Sequence, residues 1–401
     1  MNAFVRRSVP GLVARSFLCL TLALGLIAGC ERQSPQSSGG ADAAPAPQGD
    51  TIKVGHFGTL TGNEATFGQS TDKGVKMAFD EANAEGGING KKLELISRDT
   101  RGRTEDSGSA VTRLIDSDKV VALLGEVASG RSIAGGRVAQ AKGIPMISPA
   151  STNPDVTAIG DKIFRVCFID PFQGFVVAKF ASENLKVKKV AILYDQSQAY
   201  STGLRKNFVE AFTKMGGTIT TEQAYSGGDQ DFSAQLTTIR ETAPQAIFIP
   251  GYYSEVGNIA LQAKKLGIHV PMLGGDGWDS AELLQIAGEA LEGSFFSNHF
   301  SEENPRPEQA AFIERYRAKW SERPDAMAAL GYDAAKILVE AMKKAPSLKS
   351  DELAAAIAAT KDFPGVTGMI TIDANRNARK SAVMLEIKGG KLTFAASIDP
   401  E

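Results

Sequence analysis

Side chains able to carry out chemistry are few in this chain, and their spacing matches no catalytic motif. His56, His269 and His299 lie far apart, without the i, i+4 spacing that would bring two imidazoles to one metal ion. The sequence also lacks a glycine-rich phosphate loop, a dinucleotide-binding fingerprint and the Gly-x-Ser-x-Gly turn that exposes a serine nucleophile. We therefore predict no catalytic residue, no metal site and no cofactor, and we expect the protein to bind a molecule without converting it.

One cysteine lies in a pattern with a chemical meaning. Three arginines and no acidic residue precede an apolar run at residues 17–28, which is too short to cross ~30 Å of hydrocarbon and is typical of an export signal. The run ends in Leu26-Ile27-Ala28-Gly29-Cys30, which resembles a bacterial lipobox, whose cysteine receives a diacylglycerol. We expect residues 1–29 to be a lipoprotein signal peptide and Cys30 to be lipidated. An ordinary signal peptide that happens to contain a cysteine is the alternative.

The segment after this cysteine predicts a flexible tether. Residues 31–50 are rich in Ser, Gly, Ala, Pro and Gln and contain no large apolar side chain, so burial cannot offset the entropy lost on ordering. We expect residues 30–50 to form a disordered, lipid-anchored tether with an r.m.s. reach of about 25 Å. The domain that follows would then lie on the periplasmic or cell-surface side of a bacterial membrane, free to meet a membrane partner.

Charge and cysteine content exclude other classes of protein. Without residues 1–29 the chain has 41 basic and 46 acidic residues, a net charge of −5, and an acidic protein lacks the basic surface that nucleic acid requires. Cys167 is the one cysteine besides Cys30 in that mature chain, so we expect no internal disulfide, and its apolar neighbours predict a buried free thiol. About 350 ordered residues favour two domains over a single core.

Short β-branched runs alternate with segments of helical periodicity along the chain. This alternation, with strands that are apolar throughout, predicts parallel sheets covered by helices on both faces, an α/β fold. The predicted strands are residues 52–57, 93–97, 120–124, 145–148, 190–194, 246–250 and 271–274, and the predicted helices are residues 69–85, 104–116, 132–142, 173–185, 201–215, 231–241 and 254–266. Residues 307–360 read as mostly helical, and a strand pair at 368–372 and 382–387 is expected to close the chain.

Several short blocks of sequence, taken in order, carry a resemblance to a known family. They lie at residues 52–55, 60–62, 67–68, 86–93, 143–154, 195–200, 231–233, 251–253 and 331–334. Their order and spacing resemble the leucine/isoleucine/valine-binding family of ABC-transporter solute receptors, over residues 51 to about 395. The resemblance implies a receptor, expected to be a monomer, that hands a small ligand to the permease subunits of an ABC transporter without altering it.

The resemblance also implies the domain organisation. Two Rossmann-like lobes of the type I periplasmic-binding fold would be joined by three crossovers, near Ile169-Asp170, Ser297 and Ile370. Lobe 1 would comprise residues 51–169 and 298–370, and lobe 2 would comprise residues 170–297 and 371–401. The ligand would lie between the lobes, at strand ends and helix N-termini.

A zwitterionic ligand in this cleft would need donors for its carboxylate. Ser129 and Thr152 could supply hydroxyls near helix N-termini, where the helix dipole favours an anion, and both match family positions that bind the carboxylate. Ser151 lies in the same loop, and the backbone at Ala150 would offer a carbonyl to the ammonium. Hydroxyls before helices also serve as simple N-caps, which is the alternative for Ser129.

The ammonium would need a carboxylate. Asp276 lies where the family usually has glutamate, although aspartate is also common in turns for local reasons, and its shorter side chain leaves its reach open. Tyr252 matches the family tyrosine at the cleft, Phe67 and Tyr200 match positions that face the ligand side chain, and Asp170 matches a polar position at the first crossover.

Two large residues bear on ligand identity. If Trp278 and Arg131 both point into the cleft, the pocket differs from one shaped for leucine. We therefore expect an amino acid, branched-chain or related. The alternatives are a sensing receptor that signals binding of an amide, urea or aromatic acid to a membrane partner, and an exported α/β enzyme, against which the missing nucleophile and metal motifs count.

Overall fold

A computed structural model describes residues 51–303 and 305–400 of the chain. The predictions for residues 1–50, including the signal peptide, the tether and lipidation at Cys30, lie outside these residues. Within the described ranges no helix combines the length and apolar character needed to cross a membrane. Nor do three or more His, Cys, Asp or Glu side chains group there into a possible metal site.

Strands and helices alternate along the described part of the chain, as the sequence predicts. The strands are β1 (Ile52–Gly58), β2 (Leu93–Asp99), β3 (Ala122–Leu124), β4 (Met146–Ser148), β5 (Ile163–Arg165), β6 (Lys189–Asp195), β7 (Thr218–Tyr225), β8 (Ala246–Phe248), β9 (Met272–Gly274), β10 (Phe295–Asn298), β11 (Phe363–Gly365), β12 (Gly368–Ile372), β13 (Ala378–Arg379), β14 (Ala382–Lys388) and β15 (Lys391–Ile398). The helices are α1 (Ala65–Ala84), α2 (Thr104–Asp116), α3 (Ser129–Ala141), α4 (Asp155–Ala158), α5 (Asp170–Lys179), α6 (Ala199–Lys214), α7 (Ser233–Glu241), α8 (Tyr253–Lys265), α9 (Ala281–Ala287), α10 (Pro307–Trp320), α11 (Ala326–Lys344) and α12 (Ser350–Ala358).

Five parallel strands form the sheet of the first lobe, in the order β2-β1-β3-β4-β5. The central strands β3 and β4 are buried along their whole length, which is expected of parallel strands with helices on both faces. The second lobe has a seven-stranded sheet in the order β15-β14-β10-β9-β8-β6-β7. The predicted α/β class is thus confirmed, although β14 and β15 add an antiparallel edge to the second sheet.

The strands predicted to pair at the end of the chain lie in different sheets. β12 pairs with β11 and β13, whereas β14 pairs with β10 and β15. The prediction of a pair was wrong because the segment between the two strands contains β13, which takes the place beside β12. Arg376 in that segment stays with the first lobe, where its carbonyl accepts from the Arg165 N–H on β5. The chain therefore changes lobe between β13 and β14 and not near Ile370.

Helices α1 and α11 approach so closely that glycine is required at their contact. A Cβ on Gly74 of α1 would lie 2.0 Å from the carbonyl oxygen of Ala328, and one on Gly331 of α11 would lie 2.6 Å from that of Thr71. Real Cβ atoms do not tolerate such distances, so larger residues would push the helices apart. This contact fixes the N-terminal ends of both helices, which reach the cleft between the lobes.

Cys167 is buried and free, as the sequence predicts. Its thiol donates to the Ser151 carbonyl oxygen at 3.3 Å. Burial raises the pKa of this thiol to about 12, so the nucleophilic thiolate is scarce near neutral pH. The residue packs in the core.

Candidate functional site

A small cavity lies between the two lobes. Each lobe contributes four residues to its wall, at loops that follow strands or at the first turns of helices. The lining residues are Phe67, Val127, Ala150 and Met327 from the first lobe and Tyr200, Tyr252, Asp276 and Gly277 from the second. The carboxyl ends of parallel strands are the usual place for a ligand in open α/β sheets.

Three aromatic rings form one side of this cavity. Tyr200 and Tyr252 stack with centroids 5.2 Å apart and planes 8° from parallel, and Phe67 meets Tyr252 edge-on at 5.6 Å. The Tyr200 hydroxyl oxygen accepts from the Gly277 N–H at 3.1 Å. A Cβ on Gly277 would lie 3.0 Å from both tyrosine rings, so glycine lets the turn pass beside them. The Tyr252 hydroxyl is buried and makes no hydrogen bond with the described residues.

Asp276 is the one charged side chain among the described residues that line the cavity. It begins a 3₁₀ turn that follows β9, and the residue is only 3% exposed. Oδ1 accepts from Gln173 Nε2 at 2.8 Å, and Oδ2 lies 3.0 Å from His299 Nε2. A buried carboxylate with neutral partners can accept a further, charged donor from a ligand.

The predicted carboxylate donors are buried beside the first-lobe wall. Ser129 is the first residue of α3, and its Oγ accepts from the Asn153 N–H at 3.3 Å, which leaves its own proton available. Thr152 Oγ1 is buried without a hydrogen bond to the described residues. These residues follow the lining residues Val127 and Ala150 by two positions each, so the N-terminus of α3 and two hydroxyls come close to the cavity.

Other predicted site residues lie outside the cavity wall. The Ser151 hydroxyl bonds to the carbonyl oxygens of Glu126 and Val127, at 3.0 and 2.8 Å, and so braces the first lobe. Asp170 is fully buried at the first crossover, where burial raises the pKa of its carboxyl to about 8. Trp278 packs in the second-lobe core, with Nε1 donating to the Ile249 carbonyl oxygen at 3.0 Å.

Arg131 is held by acceptors of the first lobe and does not line the cavity. Its guanidinium pairs with Glu64 and lies 3.2 Å from a carboxylate oxygen of Glu126, and it donates to the Gly102 carbonyl oxygen at 2.8 Å. Burial acts to lower the pKa of this guanidinium, but the two carboxylates outweigh burial and raise it. Arg131 and Trp278 therefore do not both point into the cleft, which was the condition for a pocket different from one shaped for leucine.

Comparison with known proteins agrees with this geometry. The family model described as periplasmic binding protein matches residues 51–391. The chain belongs to that family, and within it to the leucine/isoleucine/valine-binding group. A Leu/Ile/Val-binding protein homolog of Brucella abortus is 33% identical over 85% of this chain and 91% of its own length.

Solved structures of relatives share the fold of this binding protein. A leucine-binding protein from Thermotoga maritima is 40% identical, with a TM-score of 0.84 over 87% of this chain and 99% of its own. A branched-chain amino acid transporter substrate-binding protein from Streptococcus pneumoniae, solved with isoleucine, is 37% identical, with a TM-score of 0.83 over 88% of this chain and all of its own. The predicted family and the type I periplasmic-binding fold are thus confirmed, and the family binds solutes in the periplasm.

Direct hydrogen bonds join the two lobes of this binding protein around the cavity. Asn153 Nδ2 donates to the Ala199 carbonyl oxygen at 2.8 Å, and the hydroxyls of Thr66 and Ser280 lie 3.1 Å apart. Asp279 of the second lobe accepts from the Ala326 N–H, the first amide of α11, at 2.6 Å. The structure therefore has a closed cleft.

The third of these contacts brings two carboxyl groups together at one helix end. Asp325 is the N-cap of α11, where it accepts from the Ala328 N–H at 2.8 Å and from the Ser70 hydroxyl at 2.6 Å. Asp279 joins it at the same N-terminus. Burial raises the pKa of both carboxyls, and the charge of Asp325 raises that of Asp279 further. Folding of this end of the cleft therefore favours uptake of a proton.

Replacing Asp279 should change how stability depends on pH. A carboxyl whose pKa is raised on folding stabilises the protein below its ordinary pKa, and this contribution is lost as pH rises through the raised value. Asp279→Asn keeps an acceptor for the Ala326 N–H but cannot ionise, so its melting temperature relative to wild type should rise by about 1–3 °C between pH 5 and pH 8. Thermal melts of both proteins at the two pH values measure this difference. Asp116→Asn, at an exposed position, serves as control. A difference in melting temperature between Asp279→Asn and wild type that is the same at both pH values would contradict the prediction.

Proposed function

We propose that this chain is the solute-binding receptor of an ABC transporter that captures an aliphatic α-amino acid and delivers it to the permease. The observation that carries the proposal is the buried carboxylate of Asp276. Among the residues that the structure describes, it is the single charged group on the wall of a cavity formed equally by both lobes. The membrane anchor is part of the proposal: Cys30 carries the lipid, and residues 31–50 link it to the binding lobes.

The polar groups around the cavity suit the two ends of an amino acid. Asp276 on the second lobe would pair with the ammonium, together with the Tyr252 hydroxyl and the carbonyl at Ala150. The hydroxyls of Ser129 and Thr152 and the N-terminus of α3 on the first lobe would hold the carboxylate, because a helix N-terminus favours an anion. A ligand held from both sides stabilises the closed form, since it binds that form in preference to the open one.

The remaining wall is apolar and leaves little room. Phe67, Val127 and Met327 offer no hydrogen-bonding side chain. An aliphatic side chain against this part of the wall would leave no polar group unpaired. The relatives described above as leucine-binding and isoleucine-bound support the same class of ligand.

The cavity fits an aromatic acid less well. A carboxylic acid that lacks an amino group would leave Asp276 buried without its cationic partner, and a buried unpaired charge is strongly unfavourable. Amides and urea have no full positive charge to offer either. The transport role is preferred to sensing because the relatives with solved structures include a transporter substrate-binding protein.

Removing the Asp276 carboxylate should weaken amino acid binding strongly. Loss of one partner of a desolvated ion pair costs ~2–5 kcal/mol, so Asp276→Ala should raise the Kd for the preferred amino acid among leucine, isoleucine and valine by one to three orders of magnitude. Ser129→Ala should cost less, roughly 1.5–3 kcal/mol, because a charged group loses one hydrogen bond among several. Calorimetric titration of residues 51–401 measures both effects, with the exposed Asp116→Ala as control. Wild-type affinity in Asp276→Ala would refute the proposed ligand class.

The anchor can be tested by fractionation. Cys30→Ala should move the protein from the membrane fraction to a soluble or unprocessed pool, because the acceptor of the diacylglycerol is lost. Mass spectrometry of the wild-type N-terminus should find the lipid on Cys30. A wild-type protein that is fully soluble, with an unmodified mature N-terminus, would contradict the anchor.

A further inference from the structure

The carboxylate of Asp276 is held by two side chains that do not themselves line the cavity. Gln173 Nε2 donates to Oδ1 at 2.8 Å, and His299 Nε2 lies 3.0 Å from Oδ2. Taking the proposed amino-acid binding as its basis, we propose that His299 and Gln173 are positioning residues, which aim the Asp276 carboxylate at the ligand ammonium. Selectivity for amino acids over the same acids without an amino group would then depend on both side chains.

These two side chains come from the segments that join the lobes. Gln173 lies in the first turn of α5, directly after the first crossover, and its Nε2 also lies 3.1 Å from Ser297 Oγ on β10. His299 follows β10, where the second crossover begins. Its ring stacks on that of Phe168, which precedes α5, with centroids 3.7 Å apart. The support for Asp276 is therefore built where the two crossovers pack together.

His299 can hold Asp276 without cancelling its charge. Burial lowers the pKa of this imidazole to about 4, although Asp276 acts in the opposite direction, and the positive charge of Lys380 lowers it further. The ring is thus neutral near pH 7, and Nε2 must carry the proton in order to donate to the carboxylate. Nδ1 then keeps its lone pair, in agreement with its lack of a hydrogen bond among the described residues. A protonated imidazole, by contrast, would compete with the ligand ammonium for the same carboxylate.

The two holding groups leave capacity for a ligand. An ionised carboxylate offers about four lone-pair sites, and Gln173 and His299 use one on each oxygen. An ammonium could therefore bind either oxygen while both supports remain in place. Without them the short aspartate side chain could rotate, and binding would have to restore its orientation.

Variants of the two supports test the proposal. His299→Phe keeps a ring to stack on Phe168 but removes the donor, His299→Gln keeps a donor, and Gln173→Leu removes the other donor from a different element. The matched control is His269→Phe, because His269 is exposed. The probes are L-leucine and 4-methylpentanoate, the same molecule without its amino group, with Kd values from calorimetry at pH 7.

The expected result is a selective loss of amino acid affinity. His299→Phe and Gln173→Leu should each weaken L-leucine binding by about 10- to 100-fold, the range for one hydrogen bond to a charged group. Binding of 4-methylpentanoate should stay within about 2-fold of wild type, because a ligand without an ammonium gains nothing from an aimed carboxylate. His299→Gln should restore most of the loss, and His269→Phe should match wild type for both probes.

Other results would overturn the proposal. An equal loss for both probes would show a merely structural role, and wild-type leucine affinity in His299→Phe and Gln173→Leu would show that Asp276 needs no support. If His299→Phe does not fold, Gln173→Leu decides by the same criterion. Failure of the proposed function is distinguishable, because the wild-type protein would then bind none of leucine, isoleucine and valine.

Discussion

Removing a carboxylate from water costs several kcal/mol unless hydrogen-bond donors and a compensating charge replace its hydration. Asp276 is buried between the lobes and is therefore subject to this cost. Two neutral donors, Gln173 and His299, satisfy part of the requirement. The remaining lone pairs of the carboxylate are available to a cation that enters the cleft. The same group that makes an empty closed cleft unfavourable would therefore make a closed cleft containing an ammonium favourable.

The other parts of the structure make this arrangement possible. The close contact of α1 with α11 places Phe67 and Met327 on the cavity wall, and glycines at the contact permit it. Asp276 is buried beside the stacked tyrosines of the second lobe, and burial strengthens any ion pair formed there. Inter-lobe hydrogen bonds around the cavity, such as that from the Ala326 N–H to Asp279, add stability to the closed form. Closure thus depends partly on contacts that the ligand does not make.

Much of the fold follows from local sequence. The alternation of apolar runs with helical periodicity gives the strands and helices of both lobes. The resemblance to the family indicates Phe67, Ala150, Tyr200, Tyr252 and Asp276, all of which line the cavity. The prediction that β12 and β14 pair was wrong because closeness in sequence suggests a hairpin, whereas long-range contacts place the two strands in separate sheets. The partners of the Ser151 hydroxyl could not be predicted for a related reason, since a hydroxyl in a loop carries no sign of the carbonyl groups it will meet.

The supports of Asp276 could not be found from the sequence. His299 lies in no metal or catalytic spacing, and Gln173 is an uncharged polar residue in the first turn of a helix, where nothing local indicates its partner. Their importance arises from the meeting of two crossovers that are more than a hundred residues apart, a fact of tertiary structure. The contact of Asp279 could not be found from the sequence either, because its partner amide belongs to a helix of the other lobe.

A crystal structure of residues 51–401 with L-isoleucine bound tests the central claim most directly. The account predicts that the ligand nitrogen lies within about 3 Å of an Asp276 carboxylate oxygen, a normal charged hydrogen bond, with the ligand carboxylate on the Ser129 and Thr152 side. A ligand whose nitrogen is bound elsewhere, with Asp276 contacting only Gln173 and His299, would contradict it.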